Sequence, residues 1–268
     1  MRSPSRAEAN RHTYDDARLA AVYDVNNPAV EDHVFFRRVA DEVAADVAAR
    51  LGGTDRPDGP TVRIVDLGCG TGILTVTLAG AGRDVVGIDP AAAMLEAART
   101  RPGGDGVTWR HGTAELIEPD SAHLAVMSGN VAMHLIGEDW REALRRIDAG
   151  LVPGGRLVFE TRNPARRAWE GWHQDPTART TPAGRLIESE RTSAPSEDGV
   201  VTMHLRTEFP DSGDVLELEQ HLQFRSAEQV RADLAAAGLS VERISGDWHR
   251  TPFDPAEHRV LVVEALRG

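Results

Sequence analysis

Apolar positions change period several times along the chain, and each change marks an element. From Tyr14 to Arg50 they recur at helical spacing through Leu19, Val22, Val34, Phe35, Val39, Val43 and Val47. A break at Asn26-Asn27-Pro28 divides them into two predicted helices. A turn cluster, Gly52 to Pro60, precedes the short apolar run Val62 to Leu67, which reads as a buried strand. The pattern then predicts a helix over 73–80, a strand over 85–88 and a helix from Pro90 to Arg99 with proline in its first turn. Strands over 107–110 and 124–127, a helix over 138–149 and a strand over 156–160 follow. Strands alternating with helices imply βαβ units, a parallel sheet and right-handed crossovers. After Asn163 the period shortens to two over 185–193, 200–209 and 215–225, with turn chemistry at Pro195 to Gly199 and Pro210 to Gly213, which predicts an antiparallel insertion. Ser226-Ala227-Glu228-Gln229 has the spacing of a capping box before a helix ending near Gly238, and strands over 239–245 and 259–265 close the chain. The opening residues MRSPSRAEAN have no periodicity and are expected to fray.

Composition narrows the chemistry. All 30 basic residues are arginine, against 42 acidic ones, for a formal net charge of -12. Without lysine the described sequence has no side-chain amine for a Schiff base and no phosphate-loop or kinase-type lysine. GC-rich coding accounts for that absence as well as any functional reason. The single cysteine, Cys69, excludes internal disulfides and cysteine-rich metal centres, and no metal is expected. An acidic balance disfavours nucleic acid, whose phosphates need clustered cations. No apolar run of about 18 residues and no signal-like start occur, so the expected setting is cytoplasmic, with no membrane partner. The 268 residues suit one large domain or one with an insertion.

The sharpest motif is Val65-Asp66-Leu67-Gly68-Cys69-Gly70-Thr71-Gly72, a strand ending in a glycine loop that opens a helix. Such a loop lets backbone approach a ligand, and the helix start offers free N–H groups. The dinucleotide fingerprint would need glycine where Ile73 stands, which disfavours NAD. About 20 residues past the first glycine, Val85-Val86-Gly87-Ile88-Asp89 ends a second strand in an acid able to take two ribose hydroxyls. With Val152-Pro153-Gly154-Gly155 before the fifth strand, the chain resembles the class I S-adenosylmethionine-dependent methyltransferases over roughly residues 12–267.

The resemblance implies an α/β fold: a doubly wound, mostly parallel, seven-stranded Rossmann-like sheet with its last strand antiparallel, an N-terminal helical lid (12–50) and an antiparallel β insertion. It divides the chain into a donor-binding domain, 12–162 with 226–268, and an acceptor-side insertion, 163–225. It implies S-adenosyl-L-methionine as donor and S-adenosyl-L-homocysteine as product. Asp66 would lie near the donor's ammonium, with Gly68, Cys69, Gly70 and Gly72 in the methionine-side loop. Asp89 with Pro90 would hold the ribose, and Met94 would pack on adenine. Thr113 and Ala114 stand where relatives often carry an acid for the adenine amino group, so Thr113's hydroxyl or a backbone group would serve. Tyr14 or Tyr23 would cover the donor from the lid, or simply pack on the core. Cys69 reads as a small buried residue rather than a nucleophile.

Ligands of open parallel sheets bind beyond the carboxyl ends of the strands. Those ends are Ser128-Gly129-Asn130, running on to Met133-His134, and Glu160-Thr161-Arg162-Asn163. His134 is the first candidate base, the alternative being a histidine covering a helix start; Glu160 and Arg162 are candidates for proton or anion handling. Trp169, Trp172 and His173, with Trp248 and His249, either line an apolar acceptor pocket or pack the insertion on the main domain. The expected function is methyl transfer to a small organic acceptor, an amine, an indole or another ring, in secondary metabolism. The passage Phe224 to Gln229 looks like that of bacterial amino-sugar N-methyltransferases. A non-catalytic donor-binding sensor and a nucleic-acid methyltransferase are the alternatives; Ser128-Gly129-Asn130-Val131 lacks the latter's usual N/D-P-P-aromatic motif. The exposed insertion sheet offers an edge for pairing with a second copy.

Overall fold

Four apolar runs lie side by side as parallel strands, because runs buried on both faces need helices above and below, and a polar fifth strand joins them at the edge. In the computed structural model, which describes residues 5–28, 31–50, 61–181 and 184–268, they are β1 (Val62–Leu67), β2 (Arg83–Asp89), β3 (Thr108–His111), β4 (Ala122–Met127) and β5 (Leu151–Arg162). The predicted turn cluster from Gly52 to Pro60 lies outside the described residues. With β10 (Leu239–Ser245) and β11 (Val260–Arg267) the strands form one seven-stranded sheet, ordered β10-β11-β5-β4-β1-β2-β3. Only β11 runs against its neighbours, pairing antiparallel with both β5 and β10.

Alternation along the strands feeds two cores. Met127, Leu157 and Phe159 face Trp140, Leu144 and Ile147 of α7 (Glu138–Gly150) and Val230 and Leu234 of α8 (Ala227–Ala237). Leu124, Val126 and Val158 face Phe35, Phe36, Val39 and Val43 of α3 (Glu31–Arg50). A second sheet, ordered β6-β7-β8-β9, is wholly antiparallel: β6 (Gln174–Thr181), β7 (Gly184–Thr192), β8 (Val200–Phe209) and β9 (Asp214–Gln223). Ser226 caps α8 reciprocally with Gln229, as its spacing predicts.

Several elements depart from the sequence pattern. The residues expected to fray form α1 (Arg6–His12), started by a Ser5–Glu8 capping box; α2 is Ala17–Asn26. The helix after the glycine loop is a single turn, α4 (Thr75–Leu78), with no side-chain cap and an extended residue, Ala79, at its end. Helix α5 spans Ala92–Thr100, so Pro90 stands outside its first turn; the Ala91 N–H is taken by Asp89 Oδ1 at 2.8 Å. Strand β6 went unpredicted because its sequence, QDPTARTT, is polar, contains proline and is mostly exposed; pairing with β7 makes it a strand.

Candidate functional site

Gly68, Gly70 and Gly72 all sit in the left-handed region, at φ +74°, +54° and +73°. A Cβ on Gly68 would lie 2.5 Å from Val131, and one on Gly72 2.5 Å from the Trp109 ring; one on Gly70 would meet only Tyr23, at 4.0 Å. The outer glycines are thus needed for packing as well as for the turn, whereas Gly70 borders open space. Asp89, almost fully buried, accepts from Gly70 N–H through Oδ2 at 2.8 Å and from Ala91 N–H through Oδ1. About two of a carboxylate's four acceptor positions are thereby used. Burial pushes this carboxyl up to about 6 against the pull of those two bonds, so it is largely ionised at neutral pH.

Two cavities open from this edge of the parallel sheet. A smaller one, about 350 Å³, is bordered by Gly68, Gly70, Asp89, Pro90, Met94, Thr113 and Ala114. A larger one, about 900 Å³, lies beneath the antiparallel sheet and is bordered by Asn130, Arg162, Trp172, Glu188, Glu190 and Met203, among others. Tyr14, Tyr23, Gly129 and His134 line both.

The N-terminal segment is tied to both walls. Tyr14 and Tyr23 pack edge to face, centroids 5.3 Å apart, and Gln220 of β9 donates to the Tyr14 hydroxyl at 3.2 Å. Burial pushes both phenols above their ordinary range. Asp24, beside Tyr23, accepts from Thr71 in the glycine loop and pairs with Arg101, so α2 is held to the loop itself. Asn10 of α1 donates through Nδ2 to the carbonyls of His134 (2.8 Å) and His221 (2.7 Å), and its Oδ1 accepts from His221 N–H (2.8 Å). One side chain therefore joins α1, β9 and α6 (Val131–His134).

Helix α6 is one turn, and both of its ends are held from outside. Asn130, at φ +62°, donates its N–H to Glu160 Oε1 at 2.8 Å. The buried Arg225 guanidinium donates to the Ala132 and Leu135 carbonyls at 2.8 and 2.6 Å and lies over the Trp140 ring. Burial lowers Arg225 to about 10 and His134 to about 4, leaving the His134 imidazole neutral at physiological pH. Burial also raises Glu160 to about 8, and its Oε2 has no partner. Asp66, fully buried, accepts from the Thr75 hydroxyl at 2.7 Å; its Oδ1 is unpartnered, and burial raises it to about 7.

Several residues expected at the site lie elsewhere. Asp66, Cys69, Gly72, Ser128 and Glu160 line neither cavity, and Glu160 is turned to the backbone of Gly129 and Asn130. Cys69 is buried, and burial drives its thiol well above the ordinary range. Of the five aromatic candidates only Trp172 borders the large cavity. Trp169 packs on Phe224 with centroids 4.7 Å apart. Trp248 packs on Phe35 and Phe36 of α3, and its carbonyl accepts from Arg38. His173 is exposed beside Asp175, and His249 is exposed beside Asp247. These positions correct the expected aromatic pocket: the chain after β10 folds back on α3, away from the insertion. Among the described residues no cluster of His, Cys, Asp or Glu is arranged to hold a metal, and no helix is long and apolar enough to cross a membrane. Asn10, Gln220 and Glu190 border the cavities without having stood out in the sequence; only the Ser5-x-x-Glu8 spacing could have pointed to the helix that carries Asn10.

Residues 64–155 match the model of a methyltransferase domain. A ubiquinone biosynthesis O-methyltransferase of Ruegeria pomeroyi is 35% identical over 143 residues, which are 52% of this chain and 54% of that protein. The chain's matches span about half the length of the curated relatives. Its fold is that of the CcbJ methyltransferase from Streptomyces caelestis (TM-score 0.70, 21% identity, 96% of this chain and 99% of that one). It is also that of the sugar N-methyltransferase KedS8 from Streptoalloteichus (TM-score 0.64, 18% identity, 100% and 98%). Over residues 64–155 the chain is thus similar to methyltransferase domains, and its fold is one that solved methyltransferases share.

Proposed function

We propose that this chain transfers a methyl group from S-adenosylmethionine to a small-molecule nucleophile held beneath the antiparallel sheet, releasing S-adenosylhomocysteine. The observation that carries this reading is the meeting of two cavities at Tyr14, Tyr23, Gly129 and His134. The smaller suits the donor. Asp89 keeps acceptor positions for a ribose diol, and Met94 and Thr113 border the base side. When bound, the donor supplies a sulfonium methyl that is already electrophilic, so the protein's task is chiefly alignment. The Tyr14–Tyr23 pair excludes water from the junction. His134, too weak a base to store a proton, accepts a hydrogen bond from the nucleophile and orients it.

The larger cavity carries Arg162, Arg179, Arg206, Glu188 and Glu190 and a single tryptophan, which favours a polar acceptor over the apolar ring expected from the tryptophans. Likeness to a sugar N-methyltransferase supports an amine, and the secondary-metabolic setting belongs to the same reading. Residues 163–225 act on this view as the acceptor-side unit. Calorimetry tests it: S-adenosylhomocysteine should bind in the micromolar range or tighter and NAD should not. NAD binding in its place overturns the reading. Homocysteine release and product mass across amines, phenols, indoles and acids then identify the acceptor atom.

A further inference from the structure

Two charged side chains bordering the larger cavity have no hydrogen-bond or ion-pair partner among the described residues: the Glu190 carboxylate on β7 and the Arg162 guanidinium at the end of β5. The other charges there are matched. Arg179 pairs with Glu188, and Arg206 with Glu208 and Glu217. Arg162 Nε is buried and bonds to nothing. Glu190 is partly buried, which raises its carboxyl, and it lies within electrostatic reach of Tyr14, whose hydroxyl it also pushes up. Both residues are partly exposed, and a partly buried charge without a partner still loses hydration, so a cavity that keeps one of each sign is complementary to a ligand that brings the opposite two.

We propose that the acceptor is dipolar: an amine whose ammonium group is held by Glu190, on a molecule whose anionic group, carboxylate or phosphate, is held by Arg162. This rests on the methyltransferase reading. Tyr14 is shared by both cavities, so its neighbour Glu190 brings the amine to the junction. Arg162 borders only the larger cavity and takes the far end. Glu190 also has a proton to handle. The ammonium gives one N–H proton to the Glu190 carboxylate and becomes a neutral amine. Its lone pair then forms the N–C bond as the methyl group's C–S bond breaks, the bonding pair staying on sulfur as a neutral thioether. The product is a methylated ammonium, so charge balances at each step.

Titration calorimetry on the protein saturated with S-adenosylhomocysteine tests this with two sets of probes. One is cyclohexylamine, cyclohexanecarboxylate and 4-aminocyclohexanecarboxylate; the other is glucosamine, glucose 6-phosphate and glucosamine 6-phosphate. In at least one set the dipolar member should bind about tenfold tighter or more than both single-charge members, and that set names the anion. Glu190→Gln should abolish the advantage conferred by the amine while Glu190→Asp keeps most of it, and Arg162→Gln should abolish that conferred by the anion. Affinity for S-adenosylhomocysteine should be unchanged in all three variants, which also shows them folded. Equal binding within both sets, insensitivity to Glu190→Gln, or weakened S-adenosylhomocysteine binding by Arg162→Gln overturns the dipolar acceptor and leaves the transferase reading standing. Failure of the unaltered protein to bind S-adenosylhomocysteine overturns both.

Discussion

The donor-side cavity and the acceptor-side cavity share four residues, yet they are built at different ranges. On the donor side Gly70 and Asp89 are 19 residues apart and are brought together by the parallel register of β1 and β2, with Leu67 opposite Ile88. Across the larger cavity the tie is long: Gln220 to Tyr14, both of which border it, spans 206 residues. A local turn with a fixed spacing leaves a readable motif. A wall assembled from α2, α6, β5 and four antiparallel strands leaves none, since each contributor is an ordinary residue until the fold places it.

Substitutions can break this contrast or sharpen it. The largest effect should come from Asp89→Ala, which removes the carboxylate proposed to take the ribose and strands the Gly70 and Ala91 N–H groups. Affinity for S-adenosylhomocysteine should fall by about a hundredfold or more in calorimetry. Gly68→Ala should cost about 3 kcal/mol in denaturant unfolding, from its positive φ and the overlap with Val131. Gly70→Ala should cost about 1 kcal/mol, since only the φ is at fault, while weakening the donor by crowding its cavity. Equal stability losses in the two would mean that Val131 gives way.

On the acceptor side, Trp172→Ala should raise the acceptor KM without changing donor affinity, because this ring borders the larger cavity. Trp248→Ala should lower stability by about 2 kcal/mol and leave the acceptor KM alone, because that ring packs on Phe35 and Phe36. An acceptor effect from Trp248 would restore the aromatic pocket expected from sequence. Asn10→Ala removes three hydrogen bonds and should cost about 1–3 kcal/mol, seen as faster amide exchange over residues 6–12.

The smallest effect concerns pH. Asp66 and Glu160 are raised by burial to about 7 and about 8, so the folded state holds protons that the unfolded state has already released. That contribution is full below the ordinary carboxyl range and is lost as pH rises to these values. His134, lowered to about 4, works in the opposite direction only below its ordinary 6.5. Between about pH 6.5 and 8 stability should therefore decline, and Glu160→Gln should flatten the upper part of that decline in thermal melts. An unchanged slope would show that Glu160 is already matched within the fold.

Particular residues show where sequence reading stops. The alternation of strands with helices, the glycine loop, Asp89 and the α8 capping box could all be read because each is a periodicity or a short spacing. Trp248 could not be placed, because an apolar residue after a strand announces burial but not its partner. Strand β6 was invisible because its strand character comes from β7 and not from its own side chains. For α1 the pattern of burial misled: it has no buried residue, and the helix is held by a cap and by Asn10.

The sequence by itself determined the mostly parallel sheet and the glycine turn that ends its first strand, and it pointed to the class of donor proposed. Local backbone preference and residue period set these, and both act over a few residues. Only the tertiary structure decided that Tyr14, Tyr23 and His134 stand where two cavities join, and that Glu190 and Arg162 border one space with no hydrogen-bond or ion-pair partner among the described residues. Burial, pairing and proton affinity at those positions depend on what surrounds each group, and its surroundings come from chain segments up to two hundred residues away.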